Sequence, residues 1–169
     1  MKQTDNFKFD EANVMNELVY RNLSEDEKRQ ICAWKYGGEY DLYNLPSYEE
    51  MQVRQIGFMN PQREKNYYGF WDESILVGFV NILEEKEEIF IGIGVNPDLC
   101  NKHYGQRMLS ITYEISKKLY PNKPLYLEVR TWNIRAVKCY QKAGFRIDGQ
   151  AYELTTGITG IEREKIPSR

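Results

Sequence analysis

Histidine is all but missing from this 169-residue chain, with His103 the single one. A Ser-His-Asp or Cys-His relay would have to run through that residue, so nucleophilic catalysis is not expected. The three cysteines, Cys32, Cys100 and Cys139, have no metal-type spacing, and no cluster offers a ligand set for a metal. No apolar run approaches the length that spans a bilayer. The opening MKQTDNFKFDEANVM is too polar for the core of a signal peptide. A net charge of -2 and a pI near 5.6 remove the electrostatic case for nucleic acid. Repeats and low-complexity tracts are lacking too. These exclusions leave a cytoplasmic protein with reduced thiols and no nucleic-acid or membrane partner. Residues 1–15 read as a polar lead-in and 16–169 as one domain.

Aromatic residues, by contrast, are plentiful at 14%, and thirteen of them are tyrosines. Some are expected to line a groove. ELVYRNL, residues 17–23, alternates like a short strand. Ser24 with Glu27 and Ser47 with Glu50 are capping boxes that start two helices. The first helix should run to Gly37-Gly38 and the second should fade near Gly57. Strands are expected over 67–71 and 75–83 around a three-residue loop, Asp72-Glu73-Ser74. The run IFIGIGV, 89–95, suits a strand covered on both faces. Its Gly92 and Gly94 suggest a close approach to the backbone, or else a bulge.

A helix over 104–120 has Met108, Leu109, Ile111, Ile115 and Leu119 on one face and stops before Pro121. A strand over 125–129 precedes a helix over 133–143, closed by Gly144. Two closing strands, 145–154 and 161–166, complete a mixed α/β, α+β-like domain around one sheet.

Two stretches carry the chemistry. VNPDLCNKHYGQRML, 95–109, delivers the chain from a strand, past Pro97, to a helix N-terminus. The first amides of that helix have no intrahelical partner and share the positive end of its dipole, so they suit a pyrophosphate. Lys102 and Arg107 can add charge. LEVRTWNIRAVKCYQKAGF, 127–145, is a strand, an asparagine-led helix and a tyrosine ahead of Gly-Phe.

In order and spacing these stretches resemble the second half of the GNAT family of N-acetyltransferases. LEVR followed by N-x-x-A-x-x-x-Y-x-x-x-G-F is most similar to the ribosomal-protein alanine N-acetyltransferases within it. The resemblance implies a mostly antiparallel twisted sheet of six to seven strands, splayed at strands 4 and 5 and flanked by about four helices. It implies acetyl-CoA as cofactor and an amine as acceptor, either a small molecule or a protein N-terminus. It also implies that Ile93, Gly94 and Val95 lend main-chain groups to the pantetheine arm. The loop Cys100, Asn101, Lys102, His103, Tyr104, Gly105 and Gln106 would then hold the phosphates. The family's loop reads Gln or Arg, two residues, Gly, one residue, then Gly or Ala. Here those positions are Cys100, His103 and Gly105, and only the last agrees. At a first helical turn φ should be negative, so a histidine is expected to fit where the family has glycine.

Asn133 would contact the cofactor across the splay, besides capping its helix. Tyr140 falls where the family places the acid that protonates the departing thiolate. Glu128 matches the glutamate proposed as base in the alanine acetyltransferases, although a strand glutamate beside Arg130 can equally be solvated or ion-paired. Glu88, acting through water, is the reserve. The stretch from Trp34 to Asp41, continuing through Tyr43 and Tyr48 to Glu49 and Glu50, combines aromatic faces with carboxylates that suit a cationic amine. The same stretch can instead be a tyrosine-packed loop over a satellite core. A non-catalytic CoA- or acyl-CoA-binding module of the same fold stays open, as does a homodimer.

Overall fold

Seven strands form one sheet in the order β1-β2-β3-β4-β5-β7-β6. They are β1 Val19–Asn22, β2 Tyr67–Asp72, β3 Ile75–Glu84, β4 Ile89–Val95, β5 Leu125–Arg130, β6 Asp148–Glu153 and β7 Glu162–Pro167. The computed structural model describes residues 17–153 and 162–167, so the lead-in expected at 1–15 lies outside the described residues. Strands β1 to β4 are an antiparallel meander, and β4 pairs with β5 in parallel. A parallel partner needs a crossover, which the long helix between them supplies. Four α-helices are found among the described residues: α1 Glu25–Ala33, α2 Tyr48–Arg54, α3 Tyr104–Leu119 and α4 Ile134–Lys142.

Local chemistry explains most boundaries. The Glu27 carboxylate accepts from the Ser24 amide at 2.5 Å, and Ser47 accepts from the Glu50 amide, so both serines start helices as expected. Helix α1 ends earlier than Gly37-Gly38, because Trp34 is already extended. The β2–β3 loop is also tighter than expected. Asp72 pairs with Ile75, leaving Glu73 and Ser74 as the turn, with Glu73 at φ +53°. A bulge follows, since Phe70 faces Gly78 while Trp71 faces Leu76.

Helix α3 buries Met108, Leu109 and Ile115 against the sheet, about 1.5–3 kcal/mol each. Its seam differs from the apolar reading. Thr112 and Ser116 are fully buried, whereas Leu119 is exposed and Ile111 only half-buried. Thr112 satisfies its hydroxyl by donating to the Met108 carbonyl at 2.8 Å. One sheet face packs Val80, Ile82, Ile89, Ile91, Leu125, Leu127 and Val129 against α3. On the other face α1, α2 and the connection after α2 build a second core around Ile31, Met51, Phe58 and Leu76.

Candidate active site

The β4–β5 pairing is short. Ile89 faces Leu125 and Phe90 faces Tyr126, and beyond these the two strands part. Backbone polar groups alternate in direction along a strand. The Ile89 amide donates across to Pro124, and the Asn96 amide donates back to Val77 of β3. Ile91, Ile93 and Val95 therefore turn their N–H and C=O groups toward the widening gap. Gly92 and Gly94 turn theirs to β3, where they pair with Asn81 and Phe79. The expected contribution of Gly94 is corrected accordingly: it offers a bare Cα rather than main-chain bonds. A Cβ on Gly94 would lie 2.8 Å from Cζ of Phe79, so the ring lies flush against that glycine.

The gap opens into a cleft of about 640 Å³ that takes in both faces of the parted strands. That volume suits a cofactor-sized molecule. Cys100, Asn101, His103, Tyr104, Gly105 and Gln106 all line it, and Lys102 does not. Asn101 and His103 both sit at φ +65°, and His103 is the N-cap residue of α3. The expected negative φ at His103 is thus wrong. The chain must reverse sharply after Pro97–Leu99 to enter α3, and a left-handed residue makes that turn. This is the conformation for which glycine is the unstrained choice, at a cost to other residues of about 1–2 kcal/mol.

The first helical bond runs from Arg107 to the His103 carbonyl, so the Tyr104, Gly105 and Gln106 amides open the helix with no partner of their own. Gly105 also sets the packing, because a Cβ there would lie 3.0 Å from the Cys139 Sγ on α4. Tyr104 sends its side chain away, donating to Asp72 at 2.6 Å. Its contribution to the cleft is its backbone.

Helix α4 carries two of the expected residues. Asn133 caps it, accepting from the Ala136 amide at 3.1 Å and donating to the Tyr43 hydroxyl at 3.0 Å. Asn133 also lines the cleft. Tyr140 lies seven residues further on the same side. Burial raises the pKa of its phenol, so it stays protonated across neutral pH. No described residue hydrogen-bonds to its hydroxyl.

Strand β5 turns Leu125, Leu127 and Val129 to the α3 face and Tyr126, Glu128 and Arg130 to the other. Glu128 lines the cleft and is its single carboxylate among the described residues. Glu88 is not in the cleft. It precedes β4 at the end where β4 and β5 are still paired.

The acceptor-side reading divides. Trp34, Tyr36, Tyr40, Tyr43 and Leu45 do line the cleft. The Tyr36 hydroxyl donates to the Val95 carbonyl at 2.6 Å, and burial raises its pKa. Tyr48, Glu49 and Glu50 belong elsewhere: Tyr48 is buried and bonds to Glu25, Glu49 pairs with Arg29, and Glu50 pairs with Arg54. The Glu49 and Glu50 carboxylates are thus engaged away from the cleft, and Glu39 and Asp41, in the turn around Tyr40, do not line it. Sequence reasoning also missed Asn81 and Arg130 as cleft residues. A polar residue inside the apolar run of β3 was the available signal for Asn81.

Compared with known proteins, residues 29–145 match the family model described as the acetyltransferase (GNAT) family. No curated protein matches the sequence. Among solved structures, an acetyltransferase of the same description from Bacillus anthracis superposes with a TM-score of 0.74 at 16% identity, over 89% of this chain and 93% of that one. The spermidine N-acetyltransferase of Vibrio cholerae, in complex with CoA and spermine, has a TM-score of 0.64 at 19% identity, over 89% and 94%. A Bacillus subtilis acetyltransferase in complex with CoA has a TM-score of 0.64 at 19% identity, over 90% and 97%. Identities this low establish a shared fold and leave the acceptor open.

Proposed function

The chain belongs to the acetyltransferase (GNAT) family and is an acetyl-CoA-dependent N-acetyltransferase, and on that premise we propose that it acetylates a primary amine by direct attack within a ternary complex. The observation that carries the reading is the parting of β4 and β5 directly after Phe90 and Tyr126. It turns the Ile93 backbone into the same cleft that holds Tyr140 and Glu128.

Acetyl-CoA, when bound, supplies an acetyl group already activated as a thioester. The residues present fit such a carrier. Beyond the last β4–β5 pair the Ile93 backbone groups and the Val95 amide face the gap, and the first-turn amides of α3 suit a diphosphate. The bare Cα of Gly92 leaves room along the strand, where that of Gly94 is covered by the Phe79 ring. In this site the Ile93 amide would orient the thioester carbonyl and stabilise the charge that develops on its oxygen.

Glu128 would take the proton from the acceptor's ammonium, directly or through water, and so free the neutral amine to attack the thioester carbonyl. A lysine-like amine has a pKa of about 10.4 and an α-amino group about 7.7–8.0, so either gains from a base at neutral pH. Tyr140 would hold a proton beside the departing sulfur. A thiol ionises near 8.5, below any phenol, so full transfer is not required and a hydrogen bond to the developing thiolate suffices. The likeness of the LEVR-to-Gly-Phe stretch to the alanine acetyltransferases supports the assignment of Glu128.

Calorimetry with acetyl-CoA, joined to thiol release over a panel of primary amines, tests the reading. Binding together with amine-dependent thiol release is the expected result. Binding with no thiol release on any amine would make the chain a CoA-binding module instead.

A further inference from the structure

The cleft as a whole carries more positive than negative charge. Among the described residues that line it Glu128 is the single carboxylate, against Arg130, Arg135, Lys138 and Lys142, and Lys142 stands at the α3 loop, its carbonyl accepting from Gln106 at 3.4 Å. The chain as a whole is slightly acidic, so this local excess of positive charge is not a reflection of composition. Arg135 lies over the Tyr40 ring at 4.2 Å, and α4 carries the two lysines. Arg130 differs from all three. It is 7% exposed, and its Nε and Nη1 are buried with no hydrogen-bond partner among the described residues. Its guanidinium lies over the face of Tyr43 at 5.8 Å. A guanidinium cannot shed its proton to escape burial, so an unpaired one is costly unless a ligand completes it.

A second orphan lines the same cleft, on β3. The Asn81 side-chain oxygen is buried without a donor. Asn81 faces Gly92 across the β3–β4 pair, and Phe79 faces Gly94. Counted from the last pair, Phe90 and Tyr126, Gly92 and Glu128 lie two residues further along their strands and Gly94 and Arg130 four, on the two sides of the gap. One row across the sheet therefore presents two acceptors, the Asn81 amide oxygen and the Glu128 carboxylate. The next row presents an unpaired cation. Rows two residues apart along a strand are separated by roughly 6.5–7 Å, which suits a nitrogen and a carboxylate joined by only a few bonds.

We propose that the acceptor is a small amine bearing a carboxylate, of the amino-acid class, its nitrogen held in the row of Asn81 and Glu128 and its carboxylate paired with Arg130. This deepens the acetyltransferase reading and rests on it. A planar guanidinium matches a carboxylate in a two-point bond, whereas an added ammonium in the same place would be repelled.

The test compares matched acceptors on the full chain: free α-amino acids, their carboxamides, the amines left when the carboxylate is removed, and spermidine. Thiol release is followed for the wild type, Arg130→Met and Arg130→Lys. The wild type should favour the amino acid over its carboxamide by about 10- to 100-fold in kcat/KM. Arg130→Met should abolish that preference, bringing kcat/KM for the acid and for its carboxamide to within about 2-fold of each other, the loss falling on KM of the acid. Arg130→Lys should keep part of it. Acetyl-CoA calorimetry on each variant shows that the fold and cofactor site are retained. Equal use of acid and carboxamide by the wild type, a preference for spermidine, or a preference that survives Arg130→Met overturns the proposal while leaving acetyl transfer intact. Thiol release with none of the amines removes both.

Discussion

The hydroxyl of Tyr36 donates to the carbonyl of Val95 across 2.6 Å, tying the connection after α1 to the last residue of β4. Val95 has lost β5 as a neighbour by that point, so a side chain from another layer supplies the missing partner. The bond keeps the end of β4 from drifting back toward β5, and it holds an aromatic wall over the cleft.

The same phenol makes stability sensitive to alkali. Burial raises the pKa of Tyr36, and likewise of Tyr67 and Tyr140, above the ordinary phenol value of 10.0. Between that value and the raised one the unfolded chain has lost protons that the folded chain keeps, so stability falls as pH rises above about 10. Each such phenol contributes up to about 1.4 kcal/mol per pH unit in that window. Urea denaturation at pH 8, 10 and 11 should show the decline, with a shallower slope in Tyr36→Phe. An unchanged slope in that variant would place the titration elsewhere.

His103 tests whether backbone or side chain holds the phosphates. At φ +65° a β-branched residue is strained, so His103→Val should lose about 1–2 kcal/mol of stability and bind acetyl-CoA more weakly. His103→Gly relieves that strain but frees the unfolded chain, so its stability should stay within about 1 kcal/mol of wild type. Acetyl-CoA affinity in the glycine variant should be equal or tighter. A tenfold loss there would mean that the imidazole itself contacts the ligand.

Tyr140→Phe removes the proton held beside the departing sulfur. Turnover should fall by about 10²-fold or more, while calorimetric affinity for acetyl-CoA changes by less than about 3-fold. Full turnover in the phenylalanine variant would reassign the acid.

Glu128→Gln removes the acceptor of the ammonium proton. The loss in kcat/KM should be large at pH 7 and shrink as pH approaches the pKa of the amine, because the substrate then arrives deprotonated. A deficit that is constant with pH would make Glu128 a positioning residue. Thiol release measured from pH 6.5 to 9.5 distinguishes the two.

Local features of the sequence settled much of this molecule. The serines at 24 and 47, Asn133 and Gly144 set helix ends through bonds that reach no more than four residues along the chain. The apolar run at 89–95 and the helix after it had to become a strand and a crossover, since their periodicities admit little else. What the tertiary structure alone decided involves partners far apart in sequence. The left-handed turn at His103 depends on how α3 must approach β4. Tyr36 meets Val95 across 59 residues, and Asn133 meets Tyr43 across 90. The acidic and aromatic stretch around Tyr48 reads as a cation site until folding pairs Glu49 with Arg29 and Glu50 with Arg54, away from the cleft that Arg130 lines. Charge along a chain is fixed by composition, but the charge of a cavity depends on which groups find partners, and only the folded arrangement determines that.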